Sequence, residues 1–141
     1  MRLRIKLILS LCFLLILADC SSTSRYTKTY EDNDNKTEYR FLEARTGIAS
    51  FYASEFQGKK TSSGEIYNMN ELTAAHPDYP FNTIVLVTNL KNNKSVQVRI
   101  NDRMPNFKNR IIDLSLKAAE KIDMIRDGIQ EVKVEVLKWG K

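Results

Sequence analysis

Two stretches in the second half of the chain alternate strictly between apolar and polar residues. From Ser95 to Ile100, Val96, Val98 and Ile100 share one face, while Gln97 and Arg99 share the other. Near the C-terminus Val132, Val134 and Val136 are set against Lys133 and Glu135. A period of two belongs to a strand with one face in a core and the other in water. Thr83 to Leu90 is a β-branched-rich run, and Lys91-Asn92-Asn93-Lys94 after it is a turn, because Asn tolerates left-handed backbone. The two runs and the turn predict a hairpin. Gly47 to Tyr52 reads as a first strand and Ile111 to Leu114 as a further short one. One helix is expected from Leu116 to about Arg126, with Ser115 as N-cap, an apolar stripe of Ala118, Ala119, Ile122 and Ile125, and Gly128 at the C-terminal stop. Several short strands and one helix within residues 45–138 point to a small closed barrel. Closure also removes exposed strand edges.

The rest of the chain is of a different kind. A length of 141 residues with 43% hydrophobic composition allows one small domain. Arg2, Arg4 and Lys6 precede an almost unbroken apolar run from Leu7 to Leu17. The run is too short for a comfortable membrane span, which takes roughly 18 or more residues, and has the length of a signal-peptide core. Residues 1–19 are therefore expected to be an export signal. Leu17-Ala18-Asp19-Cys20 resembles a bacterial lipobox. Leu17 and Ala18 fit that pattern, whereas Asp19 departs from the small uncharged residue usual before the Cys. Lipidation of Cys20 is the expectation, with nearby cleavage leaving a free Cys20, or an uncleaved anchor, as alternatives. Two acyl chains or more would give stable membrane attachment. Residues 20–44 then read as a lipidated N-terminus and flexible tether, rich in Ser, Thr, Asn and Asp.

Composition excludes several chemistries. Cys12 and Cys20 are the only cysteines, so the domain at 45–138 has no disulfide and no thiolate metal site. With one histidine in the chain, a zinc mechanism is disfavoured, and neither metal nor cofactor is expected. No Gly-x-Ser-x-Gly elbow supports a serine nucleophile. The net charge is +5, of which residues 1–19 contribute two units. This mild excess, without a dense basic cluster, argues against nucleic acid and suits an anionic polymer.

Four polar clusters fall between the expected strands: 58–65, 73–77, 101–105 and 110–115. His76 reads on its own as a structural histidine in a turn before Pro77. Asp102 reads either as a turn residue bonding nearby amides or as an acid poised beside Arg103 and His76, and the residues alone leave both open.

These clusters carry a resemblance. Gly47-Ile48-Ala49-Ser50-Phe51-Tyr52, Gly64-Glu65-Ile66-Tyr67-Asn68-Met69, Leu72-Thr73-Ala74-Ala75-His76-Pro77, Val98-Arg99-Ile100-Asn101-Asp102-Arg103 and Ile112-Asp113-Leu114-Ser115 resemble, in order and spacing, the rare lipoprotein A family. The match covers about residues 47–137. It implies a mainly β fold, a six-stranded double-psi β-barrel with one or two short helices and an open groove for glycan strands. It implies lytic transglycosylase activity: cleavage of the MurNAc-β-1,4-GlcNAc bond of peptidoglycan without water, leaving a 1,6-anhydro-MurNAc end, with a preference for strands lacking stem peptides. The family's functional positions match Glu65, His76 and Asp102. Met104 stands where the family pattern has Gly, a costly exchange if that position needs positive φ. The chain ends soon after the barrel, and the C-terminal repeat domain of some relatives is not expected.

In this reading Asp102 gives its proton to the leaving oxygen and then takes one from the sugar's own 6-hydroxyl. A partly desolvated groove is expected to raise its pKa. His76 orients it or shares the proton, and Glu65 positions sugar hydroxyls, stabilises developing positive charge, or exchanges roles with Asp102. Arg103 and Asn101 hold the glycan or the loop, and Tyr52 supplies a stacking face or packs the barrel. The expected partners are peptidoglycan strands and, through the lipid, a membrane of the cell envelope, with export the expected destination. The main alternative is a non-catalytic peptidoglycan-binding structural lipoprotein. A third reading is an expansin-like wall loosener.

Overall fold

The computed structural model describes residues 27–32, 35–52 and 54–141, with side chains from Phe41 onward. The residues read as an export signal, Cys20 and the first part of the span read as tether lie outside them. Within the span read as tether, β1 (Thr27–Asp32) and β2 (Asn35–Arg40) pair antiparallel, from Thr27 opposite Arg40 to Asp32 opposite Asn35. The span read as tether thus holds a pair of antiparallel strands. Thr27, Thr29, Tyr30, Thr37 and Tyr39 are residues that favour extended backbone.

Six further strands close into a barrel: β3 (Glu43–Phe51), β4 (Thr73–Ala75), β5 (Ile84–Asn89), β6 (Ser95–Asp102), β7 (Arg110–Leu114) and β8 (Gln130–Lys138). Their order around the barrel is β3-β7-β4-β6-β5-β8, with β8 returning to β3. The β3–β7 and β4–β6 pairs are parallel and the rest antiparallel. The alternation in the sequence is the packing alternation: Val85, Val87, Val98, Ile100, Val132, Val134 and Val136 are all buried in one core. Each such side chain contributes roughly 1.5–3 kcal/mol on burial. Gly47 is required by closeness, since a Cβ there would lie 2.7 Å from Ile111 Cγ2 and 2.9 Å from the Asn109 carbonyl. Any side chain at Gly47 would push β3 away from β7.

Two sequence expectations change. The cluster at 73–77 is not wholly loop, because Thr73–Ala75 forms β4, wedged between β6 and β7. Three buried residues leave no alternation to detect, and two alanines let the strand sit in the barrel's middle. The helix α1 (Leu116–Lys121) starts as expected, with Ser115 Oγ accepting from Ala118 N at 3.2 Å. It ends well before Gly128. Asp123 takes a left-handed φ of 56°, Asp123 N bonds the Glu120 carbonyl, and Met124 N bonds the Ala119 carbonyl. This is a Schellman stop in which Asp fills the position usually held by Gly. Asn89 and Asn92 of the β5–β6 hairpin then donate to the Ile122 carbonyl at 2.9 and 3.0 Å. Met124 rather than Ile125 is buried as a result.

Candidate active site

β6 runs two residues beyond its expected end, so Asn101 and Asp102 are the last strand residues and not loop residues. Adjacent positions on a strand send their side chains to opposite faces. Asp102 lines an open groove of about 550 Å³, together with Tyr52, Phe56, Lys59, Lys60, Arg103, Met104, Pro105, Arg110 and Asp113. Asn101 is buried and donates its amide to Glu65 Oε2 at 3.0 Å.

The Asp102 carboxylate accepts three hydrogen bonds. Oδ1 takes the backbone N–H of Ser62 at 2.8 Å and of Arg103 at 2.7 Å, and Oδ2 takes the Tyr52 hydroxyl at 2.8 Å. Ser62 is delivered by a tight loop: Thr61 N bonds the Glu65 carbonyl, Gly64 N bonds the Thr61 carbonyl, and Gly64 turns at φ 94°. Burial opposes the charge on Asp102, but the Ser62, Tyr52 and Arg103 donors together outweigh it, and its pKa lies below the ordinary value. The expectation of a raised pKa is corrected on this point. Donors aimed at the ionised form favour ionisation. The Tyr52 phenol is pushed far up by burial and by its bond to Asp102, and stays protonated. Its ring packs against Phe56 and Tyr67, with centroids at 5.5 and 4.9 Å.

Glu65 is held differently. Arg99 grips it through two bonds, Nη1 to Oε1 at 2.7 Å and Nη2 to Oε2 at 2.8 Å. The Arg99 and Asn101 donors lower its pKa from 4.5 to about 2. It is a fixed anion that does not line the groove with Asp102.

His76 follows β4 and is buried. Its Nδ1 accepts the backbone N–H groups of Asp78 and Tyr79 at 3.1 and 3.0 Å, and its ring stacks on Tyr79 at 3.6 Å. Burial, and then the nearby Arg45 charge, lower its pKa from 6.5 to about 4, so it is neutral at pH 7. The structure does not bring the imidazole to the Asp102 carboxylate. The two residues meet through backbone: His76 N donates to the Asp102 carbonyl at 3.2 Å, and Arg103 Nη1 lies 3.4 Å from both the His76 and the Asp102 carbonyl. Arg103 also stacks over Phe81 at 3.9 Å.

Met104 is buried and is not among the residues with positive φ, so the exchange from Gly costs no backbone strain. Asp113 is a groove residue to which the sequence assigned no role. Ser50 Oγ donates to it, and Arg110 Nε lies 3.2 Å from Oδ1, close enough to pair charges. Its place in the Ile112-Asp113-Leu114-Ser115 cluster, an acid between the buried Ile112 and Leu114, was the available signal. Among the described residues, no group of three or more His, Cys, Asp or Glu side chains is arranged to hold a metal ion.

The closed barrel of six strands, with two parallel pairs, is a double-psi β-barrel. The family model described as lytic transglycolase matches residues 44–134, and the chain belongs to that family. It is 52% identical over 124 residues to the endolytic peptidoglycan transglycosylase RlpA of Campylobacter jejuni, an alignment covering 85% of this chain and 45% of that one. With the protein of the same name from Pasteurella multocida it shares 57% identity over 98 residues, 70% of this chain and 33% of that one. The chain thus spans less than half the length of these curated relatives. Among solved structures it resembles the Streptomyces papain inhibitor, with a TM-score of 0.58 at 18% identity, covering 71% of this chain and 99% of that one. It also resembles an expansin of Clavibacter michiganensis, with a TM-score of 0.57 at 16% identity, covering 70% and 52%. Those two likenesses concern the fold alone.

Proposed function

We propose that this barrel is a lytic transglycosylase of peptidoglycan, cleaving the MurNAc-β-1,4-GlcNAc bond with formation of a 1,6-anhydro-MurNAc end. The observation that carries the reading is the Asp102 carboxyl, held in an open groove by Tyr52, Ser62 and Arg103. The names of the relatives support it. In the reaction the protonated Asp102 gives its proton to the departing O4 of GlcNAc while positive charge develops at C1 of MurNAc. The 6-hydroxyl of the same MurNAc attacks C1, and its proton returns to Asp102. No water is consumed, and one carboxyl serves as acid and then as base. The resting group is ionised, so the bound glycan must help to protonate it. A sugar seated in the groove removes water from the carboxylate and adds to the burial that already opposes its charge. Tyr52 and Arg103 hold the carboxyl and its strand end. Glu65, Asn101 and His76 act as positioning residues. In the same reading the signal at 1–19 and a lipid on Cys20 put the domain at the cell envelope, and strands lacking stem peptides are the preferred substrate.

The test is product chemistry. The purified full chain in detergent is incubated with stem-peptide-free glycan, and the products are read by mass spectrometry. Anhydro-ended fragments are expected, and Asp102→Asn should lower their rate by roughly 10³-fold or more, the upper range of an acid–base contribution. Reducing-end products would mean hydrolysis and would refute the single-carboxyl scheme. The depressed pKa of Asp102 favours one second reading, a non-catalytic glycan binder. It predicts retention of glycan with no new ends in either chain.

A further inference from the structure

The groove holds four cationic side chains, Lys59, Lys60, Arg103 and Arg110, against two carboxylates, Asp102 and Asp113. The excess is not evenly available. Arg103 is stacked on Phe81 and bonded to backbone carbonyls, and Arg110 faces Asp113. The two lysines differ from them. Both are exposed, and among the described residues neither is ion-paired with a carboxylate. Lys59 Nζ rests 4.9 Å from the centre of the Phe56 ring, a contact that steadies the ammonium and leaves its hydrogen-bonding directions open.

Their backbone is fixed relative to Asp102. Tyr67 N donates to the Lys59 carbonyl at 2.8 Å, Lys60 forms a bridge with Ile66, and two residues later Ser62 N bonds Asp102. The loop that steadies the reacting carboxyl therefore also carries two lysines that line the same groove. A neutral sugar gives ammonium groups nothing to pair with. The muramic acid ring does, because its O3 carries a lactyl group on the same ring as the scissile C1. That group is a carboxylate when bare and an uncharged amide when a peptide is attached.

We propose that Lys59 and Lys60 bind the free lactyl carboxylate of the muramic acid ring, so that the groove separates bare from amide-capped glycan by charge as well as by bulk. This rests on the transglycosylase reading for its choice of polymer. The test uses one glycan preparation in two forms: with free lactyl carboxylates, and with the same carboxylates converted to methylamides, which removes charge and adds almost no bulk. Binding is measured on the full chain carrying Asp102→Asn, which keeps the polymer intact, and cleavage is measured on the wild-type chain. The free form should bind about tenfold more tightly, the size of one charge-assisted hydrogen bond. The advantage should shrink as salt rises. Adding Lys59→Gln and Lys60→Gln should level the two forms without weakening the methylamide, and Lys59→Arg with Lys60→Arg should restore the difference. Equal binding of the two forms, or a preference that survives the glutamine pair, overturns the proposal. The two readings separate cleanly. If anhydro ends form equally fast from both glycans, the charge readout is wrong and the enzyme stands. If no ends form from either but the binding preference holds, the enzyme is wrong and the lactyl site stands.

Discussion

Three acid–base side chains were expected to work together, yet they occupy two kinds of surroundings. Asp102 has neutral donors, two backbone amides and a phenol, and one side open to the groove. Glu65 is gripped in two places by a guanidinium, and His76 is buried with its acceptor nitrogen capping a turn. The difference lies in the cost of changing charge. Protonating Glu65 breaks an ion pair, and protonating His76 puts a cation in a dry site beside Arg45. Protonating Asp102 breaks no ion pair, and a bound sugar shifts the balance further. Residue type made all three candidates, and in the proposed reading only the surroundings separate the group that moves a proton from the groups that position it.

The largest effect that tests this contrast is the loss of anhydro products in Asp102→Asn. Next comes His76→Ala. If the imidazole is structural, the variant loses the acceptor for two turn amides and the stack on Tyr79, and should be destabilised by about 2–4 kcal/mol. The pH dependence sharpens the point. The folded-state pKa is lowered from 6.5 to about 4, so the stabilisation is fully present above pH 6.5 and is lost as pH falls towards 4. Wild type should therefore lose up to about 3 kcal/mol over that window, and the variant should lack this loss, as read by denaturant midpoints at pH 7 and pH 4.5. A variant with unchanged stability and no turnover would return His76 to the proton chemistry.

Glu65→Gln should have a smaller effect. Its folded pKa of about 2 means that its contribution is present above pH 4.5 and fades as pH falls to 2. The Glu65 side chain is 40% exposed, so solvent screening limits the contribution to about 1 kcal/mol. Gln keeps one acceptor for Arg99. Turnover at a temperature where both chains are folded should drop less than about tenfold, as expected for a group that acts through Asn101 and the loop. A loss as large as that in Asp102→Asn would erase the contrast.

The barrel was readable where burial has a period. Val96, Val98, Val132 and Val134 announce strands because alternate positions face the core, and Ser115 announces the helix because its oxygen fits a free amide. β4 was not readable, since three buried residues have no rhythm and their pairing on both sides is long-range. The helix stop at Asp123 was masked by a more conventional Gly128. At the site, Asp102 was visible as a polar residue just past an alternating strand that ended, in the sequence reading, at Ile100. Its donors were not, because Tyr52 and Ser62 lie 50 and 40 residues away and meet it only when the barrel closes. The same long range hid the separation of His76 from Asp102: His76, just past β4, shares a backbone bond with Asp102 of β6 while their side chains turn elsewhere.

Tyr52→Phe gives the smallest and most discriminating effect. The phenol is one of the donors that hold Asp102 in its ionised form, and its own raised pKa keeps it a donor across the working range. Removing the hydroxyl leaves the ring contacts with Phe56 and Tyr67 in place and takes away one bond to the carboxylate, so the Asp102 pKa must rise. If Asp102 works as an acid, kcat/KM reports its protonated fraction in the free protein, and falls as pH rises above that pKa. The variant's falling limb should move to higher pH by about half a unit to one unit, the worth of one net hydrogen bond. Its peak rate should stay within about tenfold of wild type, since the reacting carboxyl is untouched. A limb that stays fixed while the peak collapses would make Tyr52 itself the proton donor. A limb that moves to lower pH would mean that the ionised carboxylate is the working form, and would leave the groove as a site that binds glycan without cutting it.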